Sequence, residues 1–185
     1  MTTGGDDDQI TQLAKSAGRG DQAALAEFIR ATQRDVWRML AYLTNPASAD
    51  DLTQETFLRA INSLPRFSGG STARTWLLSI ARRVVVDQIR YNSRRPSTPF
   101  MVDLGSDPLG RQPRASRIEN IVEIRMLLEG LNPERREALI MTQILGLSYA
   151  EAASVCGCPV GTIRSRVARA RNDLLRAASE SDCAG

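Results

Sequence analysis

Residues 92–115 gather Pro96, Pro99, Pro108 and Pro113, with Gly105 and Gly110, in the middle of a chain that otherwise carries helical signals almost throughout. Proline lacks the amide donor a helix needs and clashes with the preceding turn, so neither flanking helix continues through this stretch. It reads as a linker. On its N-terminal side, Ala24, Leu25, Phe28, Ile29, Val36, Leu40 and Leu43 recur at helical spacing after Gly20-Asp21, until Asn45-Pro46 stops them. Ser48 is the expected cap of a helix over 49–63, with Asp50 and Asp51 in a first turn where the helix dipole favours anions. Leu64-Pro65 and Ser68-Gly69-Gly70-Ser71 break the pattern. A helix over 72–91 follows, whose apolar positions Trp76, Leu77, Ile80, Ala81, Val84, Val85 and Ile89 form a wide stripe expected to be buried.

Beyond the linker, Ser116 and Glu119 form a capping box that opens a helix, and Asn132-Pro133 caps and opens the next. Gly146 ends that helix, Ser148 and Glu151 form a second capping box, and a last helix runs over 160–178. Strand signals are almost absent. The expected fold is all-α, with two small helical domains over 1–95 and 116–185 joined by a proline-rich linker over 96–115.

Composition narrows the chemistry. The 185 residues are 42% hydrophobic and 24% charged, an ordinary mix for a globular protein. There is no histidine, which removes the usual general base, the usual metal ligand and any Ser-His or Cys-His pair. Three cysteines, Cys156, Cys158 and Cys183, do not make a secreted disulfide framework and do not by themselves close a four-ligand zinc site. The start is acidic (Asp6, Asp7, Asp8) where a signal peptide is basic, and the longest uncharged apolar stretch, 138–150, is too short for a bilayer. A reducing, cytoplasmic setting is expected, with no membrane association, no metal and no cofactor. Of the 24 basic residues only Lys15 is lysine. Arginine suits phosphate and base-edge contacts, although genome composition produces the same skew.

The end of the chain carries the strongest local signal. A short helix, a tight turn at Gly157 and a second helix make a helix-turn-helix. At about 100° per residue, Val160, Ile163, Val167, Ala170 and Leu174 fall on one side of the second helix. Gly161, Ser165, Ala168 and Asn172 lie opposite, flanked by Thr162, Arg164 and Arg169. That outer face is small and polar enough to enter a major groove, with arginines that reach guanine edges or phosphates. A solvated charged face on a structural helix is the plainer alternative. The string Gly-Cys-Pro-Val-Gly-Thr-Ile-Arg-Ser-Arg over 157–166, within 147–171, resembles region 4 of an extracytoplasmic-function (ECF) bacterial sigma factor, which reads the minus-thirty-five promoter element. The resemblance implies base contacts by Arg164, Ser165 and Arg169 and phosphate contacts near Val160, Gly161 and Thr162. Ala168 stands where some relatives carry a larger side chain, so their base preference is not carried over.

In the N-terminal half, Asp51, Gln54, Glu55 and Leu58 share one helical face, with Leu52 and Phe57 pointing elsewhere. No histidine or second acidic cluster completes a metal or acid/base site around these carboxylates. The string over 49–60 resembles sigma region 2.2, which docks on the β′ clamp helices of RNA polymerase, and an acidic and amide face suits an arginine-bearing partner. The 67–82 string resembles regions 2.3 and 2.4, which open and read the minus-ten element. Ser79, Arg82, Arg83, Val86 and Arg90 point away from the apolar stripe and, with Arg94 and Arg95, form a basic surface suited to a melting strand. Ser68, Ser71 and Thr72 belong to a polar loop able to hold a flipped base. Trp76, at the stripe's edge, is read as core. Arg83 replaces an asparagine common in relatives.

The resemblance implies a sigma factor with no chemistry of its own, whose partners are core RNA polymerase (β′ clamp helices and β flap), promoter DNA and, as for many relatives, an anti-sigma factor. A freestanding helix-turn-helix regulator is the alternative, and it leaves the 49–60 string and the basic surface without a role. An enzyme fused to a DNA-binding tail lacks both histidine and a phosphate-cradling glycine loop. The 25 residues over 91–115 reach roughly 80 Å stretched but span only about 28 Å as a coil. Promoter elements about 50–70 Å apart therefore require an extended linker, and the free chain is expected to be more compact.

Overall fold

The computed structural model describes residues 4–94 and 114–182; residues 96–113 of the expected 96–115 linker, together with Arg95 and Cys183, lie outside the described residues. The described residues form helices and no strand. Four helices precede the gap: α1 (Gly4–Gly18), α2 (Gln22–Leu43), α3 (Pro46–Ser63) and, after a 3-10 turn Leu64–Arg66, α4 (Ala73–Arg94). Four follow it: α5 (Arg114–Glu129), α6 (Pro133–Leu139), α7 (Tyr149–Cys156) and α8 (Val160–Asp182).

Side-chain caps explain most of the boundaries. Asp21 starts α2 by accepting from the Ala23 and Ala24 amides at 3.0 Å. The cap of α3 is Asn45, whose Oδ1 accepts from Ser48 N at 2.8 Å, with Pro46 at the first helical position. Ser48 is therefore inside the helix, and Asp50 and Asp51 fall beyond its first turn. Helix α2 ends at Leu43, just ahead of Asn45-Pro46, and the same pair starts α3, because proline's missing amide is one the first turn leaves unpaired anyway. Helix α5 likewise begins at Arg114, two residues ahead of Ser116. The Ser148/Glu151 capping box is present in full, and Gly157 turns the chain at φ +64°, a conformation that favours glycine.

Three features depart from the expected pattern. Helix α1 docks Ile10 and Ala14 into the core, although the acidic start masks its signal. The expected single helix over 133–145 loosens after α6 into a π turn, Ile140–Ile144, with Leu145 N donating to Ile140 O at 3.0 Å. Helix α4 buries Leu77, Leu78, Ile80, Ala81, Val84 and Val85, but Ile89 is 56% exposed and is not part of the buried stripe. Trp76 is half-buried and packs on Phe67 with ring centroids 4.9 Å apart.

The two helical groups pack on each other, with α7 lying against α4. Arg74, 6% exposed, donates through Nε to Asp35 (2.7 Å) and through Nη2 to the Leu145 carbonyl (2.7 Å). Arg38 donates to the Ile144 carbonyl at 3.2 Å. These are end-of-helix carbonyls with no amide partner of their own, so cations from the other group satisfy them and complement the helix dipole.

Candidate promoter and polymerase interfaces

Helix α8 is anchored by Ile163, Val167 and Ala170, which are buried, and by Val160 and Leu174, which are half-buried. Its opposite side presents Gly161, Arg164, Ser165, Ala168, Arg169 and Asn172 to solvent, with Thr162 half-buried at the edge. The helix wheel thus holds at each of these positions. The remaining arginines serve the fold: Arg166 bonds to Glu134 and lies 3.8 Å from Cys158 Sγ, and Arg171 donates to Gln143 at 3.0 Å. Arg135 and Arg176 share Asp173. Burial pushes the Cys156 thiol, at the end of α7, up to about 12, so it stays protonated and unreactive at neutral pH.

The expected basic surface of α4 is divided. Arg83 and Arg90 are exposed, and Ser79 and Val86 are half-buried. Arg82 is different: its Nε and Nη2 close on both Glu137 oxygens of α6, at 2.6 and 3.1 Å. The hydrogen bonds that the Arg82 guanidinium donates to that carboxylate hold it above its ordinary pKa. Arg82 therefore faces the other helical group and is not part of an open cationic surface. Position on the wheel gave its direction correctly, but no local rule reveals that α6 covers it. Ahead of α4, Ser68 is exposed and Ser71 half-buried, with Gly69 at φ +82°. Thr72 Oγ1 accepts from Thr75 N at 3.2 Å and so caps the helix.

On α3, Asp51, Gln54 and Leu58 are exposed, Leu58 by 59%, while Leu52 and Phe57 turn inward. Glu55 is half-buried and bonds Arg59 Nε at 2.7 Å, and Arg59 continues to Asp87 of α4 at 2.7 Å. The Asp87 and Glu55 hydrogen bonds raise the Arg59 pKa. Beside this face lies a groove of about 380 Å³ between α2 and α3, lined by Ile29, Gln33, Thr53, Gln54, Phe57, Leu58 and Ile61. Ile29 and Gln33 were not among the residues expected beside this face. An exposed Leu58 was the available sign that the face is not purely acidic, but the adjacency of α2 is a tertiary fact.

Comparison with known proteins places the chain in a family. The Sigma-70 region 2 family matches residues 28–95, and the Sigma-70, region 4 family matches residues 121–174. The ECF RNA polymerase sigma factor SigC of Mycobacterium tuberculosis is 55% identical over 186 residues, covering 99% of this chain and 98% of that protein. Among solved structures, CnrH in complex with the cytosolic domain of CnrY superposes with a TM-score of 0.74 at 25% identity, over 93% of this chain and 98% of that one. The sigma factor RpoE in complex with the anti-sigma factor NepR, from Bartonella quintana, gives 0.67 at 28% identity, over 83% and 96%. With both regions matched and more than half of the residues shared along the length of a curated relative, the chain belongs to the ECF sigma factors, which are transcription initiation factors.

Proposed function

We propose that this sigma factor recruits core RNA polymerase through α3 and reads two promoter elements with the two ends of the chain. In this reading residues 1–95 form the polymerase and minus-ten domain, 96–115 the linker and 116–185 the minus-thirty-five domain. Asp51, Gln54, Glu55 and Leu58 meet the β′ clamp helices, with the neighbouring apolar groove taking the partner's nonpolar side chains. Ser68, Ser71, Thr72, Ser79, Arg83, Val86 and Arg90 contact the minus-ten strand, joined by Arg82 once it leaves Glu137. Val160, Gly161, Thr162, Arg164, Ser165, Ala168 and Arg169 meet the minus-thirty-five duplex, and the domain that carries them touches the β flap. An anti-sigma factor is a further partner, as in the RpoE complex with NepR. The chain works in the cytoplasm without chemistry of its own; no helix among the described residues is long and apolar enough to cross a membrane.

The observation that carries the reading is the α3 face. Exposed acid, amide and leucine side chains stand together beside an open apolar groove, a combination suited to a helical partner with both basic and nonpolar side chains. The test is co-elution of the chain with bacterial core RNA polymerase, beside an Asp51→Arg/Gln54→Ala variant. Wild type co-eluting and the variant failing is the expected result. A folded wild type that does not co-elute at micromolar concentration overturns it.

A further inference from the structure

Lys15 stands out twice: it is the single lysine among 24 basic residues, and it lies against the 68–72 loop. It sits one helical turn after Thr11, and the two share the face of α1 turned toward that loop. Thr11 Oγ1 accepts from Ala73 N at 3.0 Å and donates to Asp7 O at 2.7 Å, while Ile10 and Ala14 anchor the helix in the core. Helix α1 is therefore fixed beneath the start of α4.

The Lys15 side chain reaches Gly69 so closely that a Cβ placed there would meet Cε at 2.8 Å and Nζ at 3.1 Å. Gly69 also holds φ at +82°, so the loop needs glycine for its backbone and leaves the vacated volume to the lysine. Among the described residues no carboxylate lies within ion-pair distance of the ammonium. Three amides at the start of α4 are already engaged: Ala73 N by Thr11, Thr75 N by Thr72 Oγ1 and Trp76 N by Thr72 O.

We propose that Lys15 is a further promoter contact, its ammonium neutralising a backbone phosphate of the unpaired strand whose base enters the 68–72 loop. This rests on the assignment of that loop to the minus-ten strand. A cationic head on a flexible stem suits a phosphate approached from below. Such a contact positions the strand and carries no base information. It also gives α1 a role in DNA capture beyond its packing.

The experiment uses the chain reconstituted with bacterial core polymerase. Wild-type holoenzyme first selects a promoter from a random duplex library, and that promoter, opened by mismatches across its downstream element, becomes the probe. Replacing Lys15→Gln is expected to weaken binding about three- to tenfold near 0.1 M salt and to lower the salt slope by about 0.7–1, the share of one phosphate. The loss should be equal on probes differing at the unpaired base, and Lys15→Arg should restore most of it. Co-elution with core polymerase stays intact. The competing role for a lysine in the last turn of α1 is compensation of the helix dipole. A lower melting temperature with an unchanged salt slope would establish that role and overturn the proposal, and so would a loss that depends on the base. If wild-type holoenzyme selects no sequence, the assignment of the loop fails and the Lys15 contact with it, a result visible before any variant is made.

Discussion

Helices α4 and α8 are both arginine-bearing helices with one apolar face, and both carry residues assigned to DNA, yet they stand in different states in the same molecule. On α8 the outer arginines Arg164 and Arg169 are exposed, and its other arginines face neighbouring side chains that hold the unit together. On α4 the central arginine of the same kind of surface is closed on Glu137, leaving Arg83 and Arg90 outside. The difference lies in how the groups pack. The C-terminal group meets α4 through α6 and α7, the side away from the recognition face of α8, so the contact covers part of one surface and leaves the other open. On the proposed reading, a chain in this state offers the exposed face of α8 before that of α4. Simultaneous contact with two elements about 50–70 Å apart requires the groups to separate.

Four substitutions would break or sharpen that contrast. The largest effect is expected from Ile163→Ala, which empties a fully buried site beneath the recognition face and should cost about 2–5 kcal/mol of stability, read by denaturant unfolding. Next, Arg164→Ala should weaken binding to the upstream element by about 1–3 kcal/mol while co-elution with core polymerase persists. If core binding is lost as well, the division of labour between the two groups is wrong. Glu137→Ala removes the Arg82–Glu137 pair between the groups and should cost about 1–2 kcal/mol. It should also raise the affinity of the free chain for single-stranded DNA, because Arg82 is released; unchanged affinity would show that the pair does not restrict α4. The smallest effect concerns Cys156. Its folded pKa of about 12 lies above the ordinary thiol value of 9.0, so the folded state holds the proton more tightly. The resulting stability is present below about pH 9 and is lost as pH rises toward 12. Melting curves across pH 8–11 should decline less steeply for Cys156→Ala than for wild type.

Much of this was legible in the residues because it is short-range. The capping box at Ser148 and Glu151, the turn at Gly157 and the buried side of α8 all follow from groups within one or two helical turns, where hydrogen-bonding geometry leaves few choices. The same locality misled at Asn45-Pro46, where a pair able to stop one helix also starts the next. Helix α1 carried an apolar spacing of Ile10, Leu13, Ala14 and Ala17 that its acidic start overshadowed. Ile89 fits the periodicity of α4 and is nonetheless exposed, since a stripe is buried only where another element covers it.

The sequence by itself determined that the described residues form helices, which side of α8 faces inward, and which strings resemble sigma regions 2 and 4. Those properties depend on backbone propensity and residue spacing. Only the tertiary structure decided that Glu137 covers Arg82, that arginines of α2 and α4 satisfy the carbonyls closing the π turn, that α2 and α3 enclose an apolar groove, and that Lys15 lies beneath Gly69. Each joins residues far apart in the chain. Such pairings follow from how helices stack to bury their apolar faces, which no single segment encodes.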